Sequence, residues 1–166
     1  FSRGSVLPLF VEQLRSGKPI TVTNSKMTRF LLPLPTATDL VFFALQNAKN
    51  GDILVRKAPA STIADIASSM IDIFNSNAGI DNVGIREGEK LHETLVTREE
   101  IMRSEDLVDY YRIQNLMQLN YDEYFLHGQI DSIPEKGYTS ENTERLSLQE
   151  TKELILSLQE IQRALG

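Results

Sequence analysis

Apolar residues at three- and four-residue spacing over Leu7, Phe10, Val11 and Leu14 predict a first helix across residues 7–14. Ser5 suits its N-cap, Pro8 its first turn and Gly17 its end. After Pro19 the run Ile20-Thr21-Val22-Thr23 is rich in β-branched residues and reads as a short strand. A turn at Asn24-Ser25-Lys26 follows. Arg29 to Leu32 is then extended, with Pro33 and Pro35 opposing helix there. A second helix is expected from Thr36 or Thr38 through Leu45, closed by Asn50-Gly51. Its Leu40–Leu45 stretch is apolar nearly all round, which predicts burial.

Ile53-Leu54-Val55 reads as a strand. Ser61 or Thr62 opens a third helix, with Asp65 at capping-box spacing from Thr62 and an apolar stripe of Ile63, Ile66, Ala67, Met70, Ile71 and Phe74. Residues 75–79 are loop, and Val83-Gly84-Ile85 is expected to be a strand. Thr97-Arg98-Glu99-Glu100 starts a short helix. Residues 104–143 are polar and irregular. They read as an extended arm with one short strand near Tyr111-Arg112-Ile113, ordered by packing on something else, such as another subunit. Ser147-Leu148-Gln149-Glu150 opens one last helix, with Leu154, Ile155, Leu158, Ile161 and Leu165 on its apolar face. The expected fold class is mixed α/β, divided as 1–103, an arm at 104–146 and a terminal helix at 147–166.

Composition narrows the function. At 166 residues the chain is one domain's worth and can bury a core without disulfides. Net charge is −6, which argues against a general nucleic-acid surface but permits a local cationic pocket. There is no cysteine, so thiolate metal sites and disulfides are excluded; a reducing cytoplasm is compatible with that. His92 and His127 lie far apart and have no metal partners at short spacing. The longest strictly apolar run, Leu40–Leu45, falls far short of the ~20 residues of a membrane span. No signal peptide is visible. The chain opens without Met, and a larger N-terminal region is expected to precede it.

Two places carry candidate chemistry. Arg29 stands at the mouth of an apolar extended segment, where a guanidinium can fork onto a phosphate. Arg86-Glu87-Gly88-Glu89 follows a strand, so a cation for pyrophosphate lies three residues from a carboxylate for ribose hydroxyls. On local sequence alone each also reads as solvated surface charge. Glu99-Glu100 suits a helix start better than paired acid–base work. There is no Gly-rich loop after a strand, no Tyr with Lys four residues on, no Gly-x-Ser-x-Gly and no P-loop. The residues alone describe a globular module with a small-anion site and no catalytic centre.

Taken in order, Ser2-Arg3-Gly4-Ser5-Val6-Leu7-Pro8, Met27-Thr28-Arg29-Phe30, Arg56-Lys57-Ala58-Pro59 and Gly84-Ile85-Arg86-Glu87-Gly88-Glu89-Lys90-Leu91-His92-Glu93 resemble one family. It is the C-terminal half of the bacterial UDP-N-acetylglucosamine 4,6-dehydratases of capsule, O-antigen and flagellin-sugar synthesis, within the extended short-chain dehydrogenase/reductase superfamily. The branch that also inverts C5 is closest. Asp109-Tyr110-Tyr111-Arg112, Leu119-Asn120-Tyr121 and Tyr138–Thr143 follow that branch's tail. The resemblance implies that Arg29 and Arg86 grip the UDP phosphates and that Glu89 accepts the ribose hydroxyls. It also implies that Thr21 and Thr23 contact uracil, and that Val6, Leu7 and Pro8 close over the nucleotide. It places NADP and the catalytic groups in a preceding Rossmann half, so this chain alone is expected to be inactive. A polar latch after Ser104 implies a homo-oligomer. Two other readings remain open: a non-catalytic UDP-sugar-binding or assembly module, and half of a related nucleotide-sugar epimerase.

Overall fold

The computed structural model describes residues 5–115 and 134–166. In chain order the elements are α1 (Val6–Arg15), β1 (Ile20–Val22), β2 (Thr28–Phe30), α2 (Leu34–Asn47), β3 (Ile53–Arg56), β4 (Ala60–Thr62), α3 (Ile63–Ile73), β5 (Ile80–Asn82), β6 (Thr94–Val96), α4 (Arg98–Met102), β7 (Ser104–Asp106), β8 (Tyr110–Ile113), β9 (Tyr138–Thr139), α5 (Leu148–Ser157) and α6 (Gln159–Leu165). The mixed α/β expectation holds. The chain forms two compact units: residues 1–30, 60–92 and 145–166 make the first, and 31–59 with 93–144 make the second.

The first unit is built on the helical stripes. Phe10 of α1, Ile66, Ala67 and Met70 of α3, Ile155 of α5 and Ile161 of α6 are fully buried, as are Ile20 and Met27. α3 packs on α5, and α1 and β1 pack against α3. β1 pairs parallel with β5, Ile20 opposite Ile80, and β2 pairs antiparallel with β4. A buried polar contact crosses this core: Thr151 Oγ1 donates to Ser61 Oγ at 2.9 Å. Each hydroxyl there has a partner, which removes much of the cost of burying it. At the rim, Arg15 Nη2 donates to the Ala164 carbonyl at 2.5 Å, tying α1 to the end of α6.

The local signals hold where they act within one turn. Thr62 caps α3 by accepting from Asp65 N–H, and its hydroxyl donates to the Asp65 carboxylate at 2.6 Å. Complete capping boxes open α4 at Thr97/Glu100 and α5 at Ser147/Glu150. Hydrogen bonds from the Ser147 hydroxyl and then its N–H hold the Glu150 carboxyl below the usual glutamate range. Ser5 occupies the N-cap of α1, but its side chain makes no capping bond.

Other boundaries move. Residues 83–85 are exposed loop, and the strand lies at Ile80–Asn82. β1 dictates this register: its last residue, Val22, accepts from Val83 N–H at 2.8 Å, and the pairing then runs out. The terminal helix is two helices, broken at Leu158, whose ψ of 124° ends one and caps the next. α2 begins at Leu34, because Pro33 sits at the N-cap and Pro35 in the first turn, where a missing N–H costs nothing.

In the second unit β3, β8 and β7 form an antiparallel sheet, and β6 pairs with β9. The 104–143 segment therefore contributes three strands among its described residues, where sequence pattern gave one. Its Tyr121, Tyr124, Phe125, His127 and Leu119-Asn120-Tyr121 lie outside the described residues. Phe43 stacks on Tyr110 with ring centroids 3.8 Å apart, and the Arg56 guanidinium also lies over Tyr110. Lys57 lies over Tyr111 and bonds Asp106. Burial pushes the Tyr111 phenol upward, with Lys57 opposing. The Tyr138 hydroxyl bridges Ala58 N–H and C=O and Thr143.

The expectation of a buried α2 is corrected: none of its residues is buried, and Leu45 is 77% exposed. Leu34, Val41, Phe42 and Leu45 are exposed on one side of the helix, interrupted by Thr38. The all-round apolar pattern signals a need for cover that is met only in part, with Leu40, Phe43 and Ala44 half-buried. Exposed stripes of this kind associate. The 166-residue chain is thus expected to self-associate with rising concentration, and Val41→Lys with Leu45→Lys to restore a monomer. Sedimentation velocity reads both; a monodisperse wild type at high concentration would count against it.

Among the described residues no helix is long and apolar enough to cross a membrane.

Candidate functional site

The candidate residues in the first unit gather where β1 ends and the 86–92 loop folds back on β2. Strand alternation buries Ile20 and Val22 and leaves Thr21 and Thr23 half-buried on the opposite face. The loop is then held at three places. Arg86 N–H donates to Glu89 Oε2 at 3.3 Å, while Glu89 N–H returns to the Arg86 carbonyl at 3.1 Å. Thr23 Oγ1 donates to Glu89 Oε1 at 3.1 Å. Thr28 N–H donates to the Leu91 carbonyl at 3.0 Å, and the Thr28 hydroxyl pairs with His92 Nδ1 at 2.8 Å.

The two arginines have different surroundings. Arg29 is half-buried, and its guanidinium donates to three backbone carbonyls: Thr28 at 2.8 Å, Lys90 at 3.2 Å and Leu91 at 3.3 Å. It fastens the loop to β2. Arg86 is exposed on the loop itself, beside the half-buried Glu89. A planar fork in solvent next to an inward-turned carboxylate can receive a diphosphate and a vicinal diol side by side.

The other sequence candidates divide. The Thr21 hydroxyl and N–H are both engaged by Gln13, at 2.7 and 3.1 Å. Val6 and Pro8 are half-buried on the first turn of α1, while Leu7 is buried in the core. Gln13 went unremarked in the sequence, and Thr28 and His92, though within the quoted motifs, were not paired there. Gln13 left a signal: it is a polar residue three positions after the buried Phe10, on the inward side of α1. The Thr28–His92 pair left none, since its members are 64 residues apart.

The described residues do not fit a nicotinamide dinucleotide. Such a site needs glycines between a strand and the helix that follows, so that backbone can approach the pyrophosphate. Here β4 passes into α3 through Thr62, and β6 into α4 through Thr97. Residues 31–33, Leu-Leu-Pro, join β2 to α2. A cavity of ≈620 Å³ in the second unit is lined by Arg56, Lys57, Tyr111, Tyr138 and Thr143 among others. The Tyr138 and Thr143 hydroxyls on its wall are committed to Ala58, and Lys57 to Asp106.

Known proteins bear on this arrangement. Residues 1–115 match the family model described as "Polysaccharide biosynthesis protein", and residues 117–162 the one described as "Polysaccharide biosynthesis protein C-terminal". Curated relatives include the "UDP-glucose 4-epimerase" of Rickettsia rickettsii (strain Sheila Smith), 48% identical over 165 residues, covering 99% of this chain and 48% of the relative. The protein of that name from Rickettsia typhi (strain ATCC VR-144 / Wilmington) is 46% identical with the same coverage. Among solved structures, the "X-ray structure of Pen from Bacillus thuringiensis" superposes with a TM-score of 0.77 at 32% identity, over 99% of this chain and 47% of that one. The chain thus spans about half the length of the curated relatives it matches. The shared fold is that of a partial short-chain dehydrogenase/reductase domain. With more than half of its residues under one family model, the chain belongs to the polysaccharide biosynthesis protein family.

Proposed function

We propose that this chain is the substrate-binding half of a nucleotide-sugar dehydratase or epimerase that makes polysaccharide precursors, and that it holds the UDP part of the substrate. The observation that carries the reading is the folded 86–92 loop, with Arg86 in solvent and Glu89 turned in beside it on Thr23. Arg86 supplies paired donors to the diphosphate, and Glu89 accepts from the ribose hydroxyls. Arg29 acts from behind by holding the Lys90 and Leu91 carbonyls. Thr21 and the α1 start at Val6, Leu7 and Pro8 border the nucleotide in the same reading.

The reaction we assign is 4,6-dehydration of UDP-N-acetylglucosamine with inversion at C5. The ordered motifs support it. The printed name of the Rickettsia relatives favours 4-epimerisation of a UDP-hexose as the second reading. NADP, the cytoplasmic setting, and self-assembly through residues 104–146 of a chain divided at 103/104 and 146/147 belong to the same proposal. In this reading NADP is held by the part of the enzyme that this chain does not span.

The full gene product supplied with NADP and UDP-N-acetylglucosamine is expected to release a 4-keto-6-deoxy sugar nucleotide, and the 166-residue chain to release none. Mass spectrometry and NMR of the product decide. A 4-epimer with mass unchanged selects the second reading. No turnover of either UDP-sugar by folded full-length protein overturns both.

A further inference from the structure

We propose that Thr23 is a positioning residue for the nucleotide's ribose: it aims the Glu89 carboxylate at the vicinal hydroxyls and does not itself read the base. This rests on the UDP-binding reading above and specifies how that site is set. The 83–91 stretch is exposed at every position except Glu89, which is half-buried. Something therefore turns that one side chain inward, and the structure names it. Glu89 Oε1 accepts from Thr23 Oγ1 at 3.1 Å, and Oε2 accepts from Arg86 N–H at 3.3 Å. An ionised carboxylate offers about four acceptor sites. Two bonds from the protein fix its plane, and two vicinal hydroxyls complete it.

The Thr23 hydroxyl has a single proton to give. Its other neighbour is the Met27 thioether at 3.2 Å, a weak acceptor. The charge-assisted bond to the carboxylate is the stronger claim on that proton. With the proton committed to Glu89, the hydroxyl is not a donor to a base carbonyl. The anchor is firm, because Val22 before Thr23 and Met27 after it are buried in the first unit. A threonine on a rigid strand end therefore transmits the fold's geometry to a carboxylate on an otherwise exposed loop.

The test is calorimetric binding to the full gene product of UDP and of 2′,3′-dideoxyuridine diphosphate, which lacks the diol. Thr23→Val keeps the shape and removes the donor. It is expected to weaken UDP roughly threefold to tenfold, the scale of one hydrogen bond, and to leave the dideoxy ligand unchanged. Thr23→Ser should recover most of the UDP affinity. In a Glu89→Ala background, which has no acceptor for the Thr23 hydroxyl, Thr23→Val should cost nothing further. Thr23→Ala serves if the valine variant does not fold. An equal loss for both ligands, or a full loss persisting in the Glu89→Ala background, overturns the inference and leaves UDP binding standing. Failure of folded wild type to bind UDP overturns the functional reading, and the inference with it.

Discussion

Replacing Gly137 with alanine is expected to cost the second unit about 3 kcal/mol or more, from two additive sources. The first is backbone conformation: φ is +73°, where an L side chain is strained. The second is space. A Cβ built there meets the Val96 carbonyl oxygen, lies 2.7 Å from Thr97 C and 2.8 Å from Arg98 N. These are backbone atoms at the end of β6 and the start of α4, and none is the tip of a flexible side chain. Relief would require the β6–β9 pair to part, together with the Tyr138 hydroxyl network beside it. Gly17→Ala is the matched control: φ is +66° but no atom lies within 4 Å. It should show only the conformational cost, about 1 kcal/mol. Urea unfolding followed by far-ultraviolet circular dichroism, which reads the helices of both units, compares them. Equal midpoints for the two variants would refute the clash.

Arg86→Ala is expected to reduce UDP affinity roughly tenfold to a hundredfold, because hydrogen bonds to charged groups are worth about 1.5–3 kcal/mol. Arg86 is exposed, so the wild-type affinity should fall with added salt and the variant should lose most of that dependence. Arg86→Lys keeps the charge but not the planar fork and should recover only part. Arg29→Ala should weaken binding by another route. It removes the donors to the Lys90 and Leu91 carbonyls, so faster amide hydrogen exchange across residues 89–92 should accompany the loss. Arg86→Ala should leave that exchange unchanged. Calorimetry over a salt series, with exchange measured on the same samples, separates gripping from fastening. Undiminished UDP affinity in Arg86→Ala would remove that residue from the site.

What was legible in the sequence follows from distance along the chain. The capping boxes at Thr97/Glu100 and Ser147/Glu150, and the Thr62 cap, act within three residues, and pattern alone placed them. The apolar stripes of α1 and α3 placed the first unit's core, down to Phe10, Ile66 and Met70. The strand at 80–82 was displaced because its register belongs to β1, some 60 residues earlier. The break at Leu158 was hidden, because an apolar face at helical spacing runs unbroken from Leu154 to Leu165. α2 misled for a different reason: hydrophobicity reports that a face needs cover, not that the chain supplies it. At the site, Arg86 and Glu89 could be paired by spacing, since a loop closes over three residues. The bonds that Arg29 makes to the loop could not be seen, because their acceptors are backbone carbonyls about sixty residues away, and carbonyls carry no sequence signature.

The contact of α3 with α5, beside which Thr151 of α5 bonds Ser61 of β4, also sets a clock on biosynthesis. Proteins leave the ribosome N-terminus first, at about 5–20 residues per second. The strand and loop that would hold the nucleotide, residues 20–29 and 86–92, emerge early, as do α1 and β1, but α3 lacks its most extensive packing partner until α5 arrives. A nascent chain stopped before Leu148 carries every proposed ligand-binding residue and still exposes the apolar face of α3. A chain cut just before Leu148 is therefore expected to lose UDP binding through the core, with every residue of the proposed site still in place.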